Sequence, residues 1–253
     1  MPCVSVIMPA YNSEKTISEA VTSVLRQTFD DLELLIVNDC SSDGTDEIIR
    51  SFAKEDPRIV IIENEKNSGV SYSRNVAIAR ADGEWIAFLD SDDVWREDKL
   101  ESQLRLMSEH PGSSICYTAS AFMDSRGNPY QYVMAAEEKI EYSTLLRKNL
   151  LSCSSVMIRA SVMKDIKMPS DRMHEDYYTW LTVLRDGGYA CGINEPMLTY
   201  RLSENSKSSG RVKSAKMLYR TYRAVGYNAI VSGMLVSRYF WHSVTKRYKI
   251  KNA

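Results

Sequence analysis

Residues 86–93 read Ile-Ala-Phe-Leu-Asp-Ser-Asp-Asp, an apolar run that ends in three carboxylates, Asp90, Asp92 and Asp93. The pattern predicts a buried strand delivering acids to its exposed C-terminal end. Carboxylates this close raise one another's pKa unless a cation sits among them, and a hard divalent ion with oxygen ligands would keep them ionised. Such an ion would in turn draw phosphate oxygens. A structural reading competes with this one. Ser91 or Asp92 as N-cap, with Asp93 in the first turn, would stabilise a helix running through Lys99 to Met107.

Three further groupings carry chemistry. Asp39 follows the apolar run 32–38, where its carboxylate could accept the N–H of a nucleobase, while Ser41, Ser42 and Asp43 shape the next turn. The segment Asn67-Ser68-Gly69-Val70-Ser71-Tyr72-Ser73-Arg74-Asn75 is a loop entering a helix. Its free N–H groups favour an anion, and Arg74 is placed to meet a pyrophosphate or, alternatively, to pair internally with Asp90. The segment is neither a Walker loop nor a Gly-x-Gly-x-x-Gly fingerprint, which argues against ATP chemistry and a dinucleotide. Glu175 and Asp176 open a helix predicted over 175–185, either to favour its dipole or to supply a base for an acceptor hydroxyl. The apolar positions flanking Asp176 mark it as the member held inward by packing, with Glu175 one position off that face. Last, Tyr200-Arg201-Leu202 runs into the polar loop 205–209, which either closes over phosphates or links onward.

The elements that must position these groups alternate. Strands are predicted at 4–9, 32–38, 59–62 and 85–89, with helices at 14–27, 45–54 and 72–80 between them. Strands apolar on both faces and separated by helices imply a doubly wound, mostly parallel α/β sheet, whose ligands bind at the strands' carboxyl ends. Beyond Pro111 the rhythm becomes α+β, with strands at 115–123, 130–135 and 154–158. The reading divides the chain into a nucleotide-binding half (1–110), an acceptor half of the same domain (111–204) and a basic amphipathic helical tail (205–253). Residues 1–204 hold all 33 acidic side chains and 21 of the 32 basic ones, so the tail carries eleven basic and no acidic groups. That tail suits an anionic partner. Five scattered cysteines, none spaced Cys-x-x-Cys, predict a reducing compartment without structural zinc. No signal peptide is seen before Val4 and no apolar run spans a membrane.

Taken together, Met8-Pro9-Ala10-Tyr11-Asn12, Val37-Asn38-Asp39 with Ser42-Asp43-Gly44-Thr45, Asn67-Ser68-Gly69 with Ser73-Arg74-Asn75, Phe88-Leu89-Asp90-Ser91-Asp92-Asp93, and Glu175-Asp176 with Trp180 resemble, in order and spacing, the family 2 glycosyltransferases. The resemblance covers about residues 3–202. It implies the GT-A fold and, within the family, the short bacterial enzymes of O-antigen, capsule and teichuronic acid assembly. It further implies inverting transfer from a UDP-sugar, assisted by Mn²⁺ or Mg²⁺. Pro9, Ala10, Tyr11 and Asp39 would hold the uridine, Arg74 the diphosphate region, and Asp90 with Ser91 the ribose or metal shell. Asp92 would be the metal ligand and Asp176 the general base. The implied acceptor is a saccharide on undecaprenyl pyrophosphate at the cytoplasmic membrane face, with the tail on anionic lipid and no nucleic acid partner. Two departures stand out: Asn38 replaces an Asp common in the family, and Met168-Pro169-Ser170-Asp171-Arg172 replaces a Gly-Gly-Phe-Asp-Glu-like segment that shapes the acceptor site. A binding protein on the same fold, without turnover, is the alternative function. A nucleotidyltransferase would carry a Gly-rich basic loop where Ala10-Tyr11-Asn12-Ser13 stands.

Overall fold

The computed structural model describes residues 1–202 and 210–239. Four strands, β1 (Val4–Ala10), β2 (Leu32–Asn38), β3 (Ile59–Glu63) and β4 (Trp85–Phe88), lie parallel in the order β3-β2-β1-β4. The helices α1 (Ile17–Leu25), α2 (Thr45–Glu55) and α3 (Val70–Ile78) connect them. Successive residues of β1 face opposite cores. Val6 and Met8 pack with α1, whereas Ile7 packs on the face of Phe88 and Trp180. Both faces are therefore covered, as the unbroken apolar runs require.

The helix starts have local causes. Asp43 accepts hydrogen bonds from the Thr45 amide (3.1 Å) and hydroxyl (2.6 Å), and Asp46 and Glu47 stand in the first turn of α2. The carboxylates after β4 do not cap a helix. A short strand, β5 (Val94–Trp95), intervenes, and α4 (Lys99–Glu109) starts from Asp98.

The second half extends the same sheet. β6 (Ile115–Met123) carries β7 (Pro129–Met134) on its edge, and β8 (Lys139–Glu141) leads through α5 (Tyr142–Leu145) to β9 (Met157–Arg159). β9 pairs antiparallel with both β4 and β6, which places residues 111–202 directly against the nucleotide-side strands. After α6 (Ala160–Met163) and a loop comes α7 (Glu175–Leu184), whose Trp180 meets Phe88 edge-on at 5.6 Å. β10 (Tyr189–Arg201) then runs parallel to β6 and returns Arg201 to the site.

The tail departs from the expectation of one amphipathic helix. α8 (Arg211–Val225) stops at Gly226, which adopts the left-handed conformation (φ +109°), and residues 229–239 form a second helical stretch. Leu218 and Tyr222 of α8 are buried against α7, so this stretch belongs to the core. Lys207 and the loop 205–209 lie outside the described residues. So do Phe240, Trp241, Val244, Lys246, Arg247, Lys249 and Lys251.

Candidate active site

In the order β3-β2-β1-β4 successive strands are added first on one side of β1 and then on the other, and the crevice at such a switch point is where α/β sheets bind ligands. Its loops are tied to one another. Asn12 Oδ1 accepts the Ser42 amide (2.8 Å), the Ser13 amide donates to Thr45 Oγ1 (2.7 Å), and the Ser13 and Ser91 hydroxyls share a hydrogen bond of 2.7 Å. Asn12 (φ +49°) and Cys40 (φ +61°) both adopt left-handed backbone at these strand ends, a conformation rare outside glycine and concentrated at functional loops.

Pro9 and Ala10 are buried in β1, and the Ala10 carbonyl accepts the Asp39 amide (2.8 Å). The exposed surface there is Tyr11, 50 % accessible. Asp39 is buried and already engaged: Oδ1 accepts from Asn64 Nδ2 (2.7 Å) and the Ser68 amide (2.8 Å), and Oδ2 from the Gly69 amide (2.8 Å). It thereby fixes the loop after β3. Three of a carboxylate's roughly four lone-pair sites are used, which leaves Oδ2 room for one more donor.

The anion at the start of α3 comes from the chain itself. Asp171 accepts the Val70 amide (3.0 Å), the Ser71 amide (2.9 Å) and the Ser71 hydroxyl. The N–H groups expected to favour an anion are thus met by a carboxylate of the protein. For Arg74 the structure takes the second of the two readings, the internal pair with Asp90. Only 3 % exposed, it donates to Asp90 Oδ1 (2.5 Å) and Glu175 Oε1 (2.9 Å), so its guanidinium is an internal clamp, not an arm reaching into the crevice.

That clamp reverses the packing argument for the acidic pair. Glu175 is the buried member, while Asp176 is half-buried. Burial, then the neighbouring Glu175 charge, holds the Asp176 carboxyl above the usual carboxylate range. Around β4 the division is similar. Asp90 is bonded to Arg74, whereas burial and the Asp90 charge push half-buried Asp92 up to about 6. Asp93 is a structural group: its Oδ1 accepts the Arg201 amide (2.9 Å), and burial raises its pKa well above normal. Arg201 also donates to the Asp92 carbonyl (2.8 Å) and to Glu19 Oε2 (2.5 Å), which draws its guanidinium away from any phosphate-closing role.

Motif reading named Asp171, Asn75 and Arg201 without these contacts, and it did not single out Ser154. Ser154 Oγ accepts the Asp90 amide (3.1 Å), and its carbonyl accepts Trp95 Nε1 (2.7 Å). All four act across 59 or more residues of sequence, so no local spacing announces these contacts.

Among the described residues no three His, Cys, Asp or Glu side chains converge as a ready-made metal cage. The donor set fits a different mode, in which one or two carboxylates hold the cation and substrate phosphate and water complete its shell. Asp92, with Asp90 beside it, has the excess negative charge that such a cation would relieve.

A parallel 3-2-1-4 sheet with an acid-tipped fourth strand, continued by a mixed half that brings a second acidic pair to the same crevice, defines a GT-A glycosyltransferase. Residues 5–166 match the family described as Glycosyl transferase family 2, and the chain belongs to that family. It is 41 % identical over 224 residues, 88 % of each chain, to the putative teichuronic acid biosynthesis glycosyltransferase TuaG of Bacillus subtilis. It is 37 % identical to the Escherichia coli UDP-Glc:alpha-D-GlcNAc-diphosphoundecaprenol beta-1,3-glucosyltransferase WfgD, over 84 % of this chain and 82 % of that one. Among solved structures, S. aureus TarS 1-349 in complex with UDP-GlcNAc shares the fold with a TM-score of 0.75 at 23 % identity, over 95 % of this chain and 72 % of that one. The mannosyltransferase PcManGT of Pyrobaculum calidifontis, solved with GDP-Man and Mn²⁺, aligns with a TM-score of 0.69 at 18 % identity, over 94 % and 68 %.

Proposed function

We propose that this chain transfers a sugar from a UDP-sugar to a saccharide carried on a lipid diphosphate, with inversion, in the assembly of a bacterial surface polysaccharide. The observation that carries the proposal is the division of labour set by Arg74. It bonds Asp90 and Glu175, and leaves Asp92 and Asp176 as the half-buried acids of the crevice that it does not bond. The names of TuaG and WfgD support the acceptor class, and the UDP-GlcNAc complex of TarS supports the donor.

In this reading Tyr11 offers its ring to the base, and the remaining lone pair of Asp39 Oδ2 accepts the uracil N–H. Asp92, with Asp90 and Ser91 beside it, would hold Mn²⁺ or Mg²⁺. When bound, that ion neutralises charge on the departing diphosphate. Asp176 takes the proton from the acceptor hydroxyl, whose oxygen bonds to the anomeric carbon on the face opposite the leaving UDP. The C–O bond to UDP breaks as the new one forms, so the configuration inverts. Arg74 sets its positive charge between Asp90 and Glu175.

The test is acceptor-dependent release of UDP from a panel of UDP-sugars, with a GlcNAc-diphospho-lipid acceptor and Mn²⁺ present or chelated. Release without acceptor dependence, or undiminished release in EDTA, contradicts the acceptor or the metal assignment respectively. A product that retains the donor's anomeric configuration by NMR contradicts inversion.

A further inference from the structure

We infer that Asp171 is a positioning residue for the transfer reaction, a latch that fixes the segment carrying Asp176 to the first turn of α3. The inference rests on the proposed function for what Asp176 does, but its geometry is independent of that reading. Three residues before and at the start of α7 grip α3 in turn. The Met168 amide and carbonyl pair with the Asn75 side-chain amide (2.9 and 2.8 Å), Asp171 takes the Val70 and Ser71 amides, and Glu175 takes Arg74. Between α6 and α7 the chain has no regular secondary structure, so these attachments decide where α7 begins.

The Asp171 contact is suited to that task. The first N–H groups of a helix have no partner within it, and a carboxylate there gains both charge-assisted hydrogen bonds and the favourable end of the helix dipole. Gly69 makes the approach possible. It adopts φ +88°, and a Cβ at this position would collide with Asp171 Oδ2. The Gly69 amide itself donates to Asp39, the residue given to the nucleobase. One short stretch of backbone, Gly69-Val70-Ser71, thus holds the nucleotide-side carboxylate with one amide and the base-side latch with the next two. The donor site and the start of α7 share a common rigid reference, and Asp176 lies five residues beyond the latch.

The variants Asp171→Asn and Asp171→Ala, with Ser71→Ala as the milder change, test this. A displacement of the base by about 1 Å can cost ~10²-fold in rate, so kcat for acceptor-dependent transfer should fall by up to that factor in Asp171→Ala. The Asp39 contacts are untouched, and UDP affinity by calorimetry should stay within about twofold of wild type. Ser71→Ala should lower kcat on its own but add nothing in the Asp171→Ala background. Hydrogen exchange supplies an arm that needs no catalysis: residues 172–178 should exchange faster in Asp171→Ala while residues 64–69 do not. Wild-type kcat in a folded variant, UDP affinity lost in step with kcat, or unchanged exchange at 172–178 would each overturn the latch. Absence of transfer by the wild-type protein would instead defeat the proposed function, and the exchange arm would still judge the latch.

Discussion

At the scale of single residues, the site contains two acidic pairs treated alike, Asp90 with Asp92 and Glu175 with Asp176. Arg74 bonds one member of each, and the other is left with a raised pKa. A base must accept a proton near neutral pH, so a half-buried carboxyl held above its ordinary range is better matched to the task than one neutralised by an arginine. Asp176→Asn should therefore lower the chemical step by ~10²-fold or more and leave UDP affinity nearly unchanged, as single-turnover kinetics and calorimetry would show. Loss from Glu175→Gln with Asp176→Asn active would reverse the assignment. The acid limb of kcat adds a signed prediction. Asp176 is faced by His174 and Glu175 on its own helix, and by Arg74, Cys153, Tyr200 and Tyr239 from neighbouring elements. Replacing Glu175 by Gln removes the negative neighbour that raises its pKa and frees Arg74 to act on it. The limb should move to lower pH. A limb that stays put, or moves up, would mean that another group titrates there.

At the scale of elements, α3 is the hub: its first turn, Arg74 and Asn75 reach a segment nearly one hundred residues further along the chain. Arg74 is the least dispensable of these. Arg74→Met leaves Asp90 and the buried Glu175 without their cation, and breaking a buried ion pair from one side costs about 3–5 kcal/mol. Urea denaturation should register that loss. Asp92→Asn, at a half-buried carboxyl already short of positive charge, should cost far less stability while abolishing metal-dependent transfer. This contrast also shows what the sequence could reveal. Runs such as Val4–Ala10 and Leu32–Asn38 announce buried parallel strands because their apolar character is local, and the acids at their ends follow. β10 was legible only at its Tyr200-Arg201 end, because Asn194-Glu195-Pro196 interrupts its apolar run and the ladder with β6 slips register on either side of Pro196. The free N–H groups at the head of α3 were visible too. The Arg74–Asp90 pair, 16 residues apart, was legible as an alternative, but that Asp171 fills those N–H groups and that Arg74 also bonds Glu175 depends on contacts 100 and 101 residues apart, to which no window of sequence is sensitive.

At the scale of the whole molecule, the basic tail divides into a part that completes the core and a part that faces outward. Tyr222 packs against Tyr177 at 6.1 Å between ring centres, and the Thr221 hydroxyl accepts the His174 amide (3.1 Å), so α8 braces the very helix that carries Asp176. A chain ending near Ser209 would strip that brace and expose the α7 core, which makes point substitution the cleaner probe of the tail. On its outer side Ile230 (77 % exposed) and Met234 (66 %) stand one helical turn apart, and Lys213, Lys216, Arg220, Arg223 and Arg238 are exposed on the same two helical stretches. No helix of the described residues is long and apolar enough to cross a membrane. Exposed apolar and exposed basic side chains on these two helical stretches suit peripheral binding to an anionic leaflet, where each basic residue near the surface contributes ~1 kcal/mol. We therefore expect co-sedimentation with vesicles containing anionic lipid, weakened by salt and absent with neutral vesicles. Ile230→Glu with Met234→Glu should abolish it and leave transfer to a soluble acceptor intact, because neither side chain supports α7. Binding that persists in the double variant, or that ignores salt, would leave this face without a membrane role and return its charges to simple solvation.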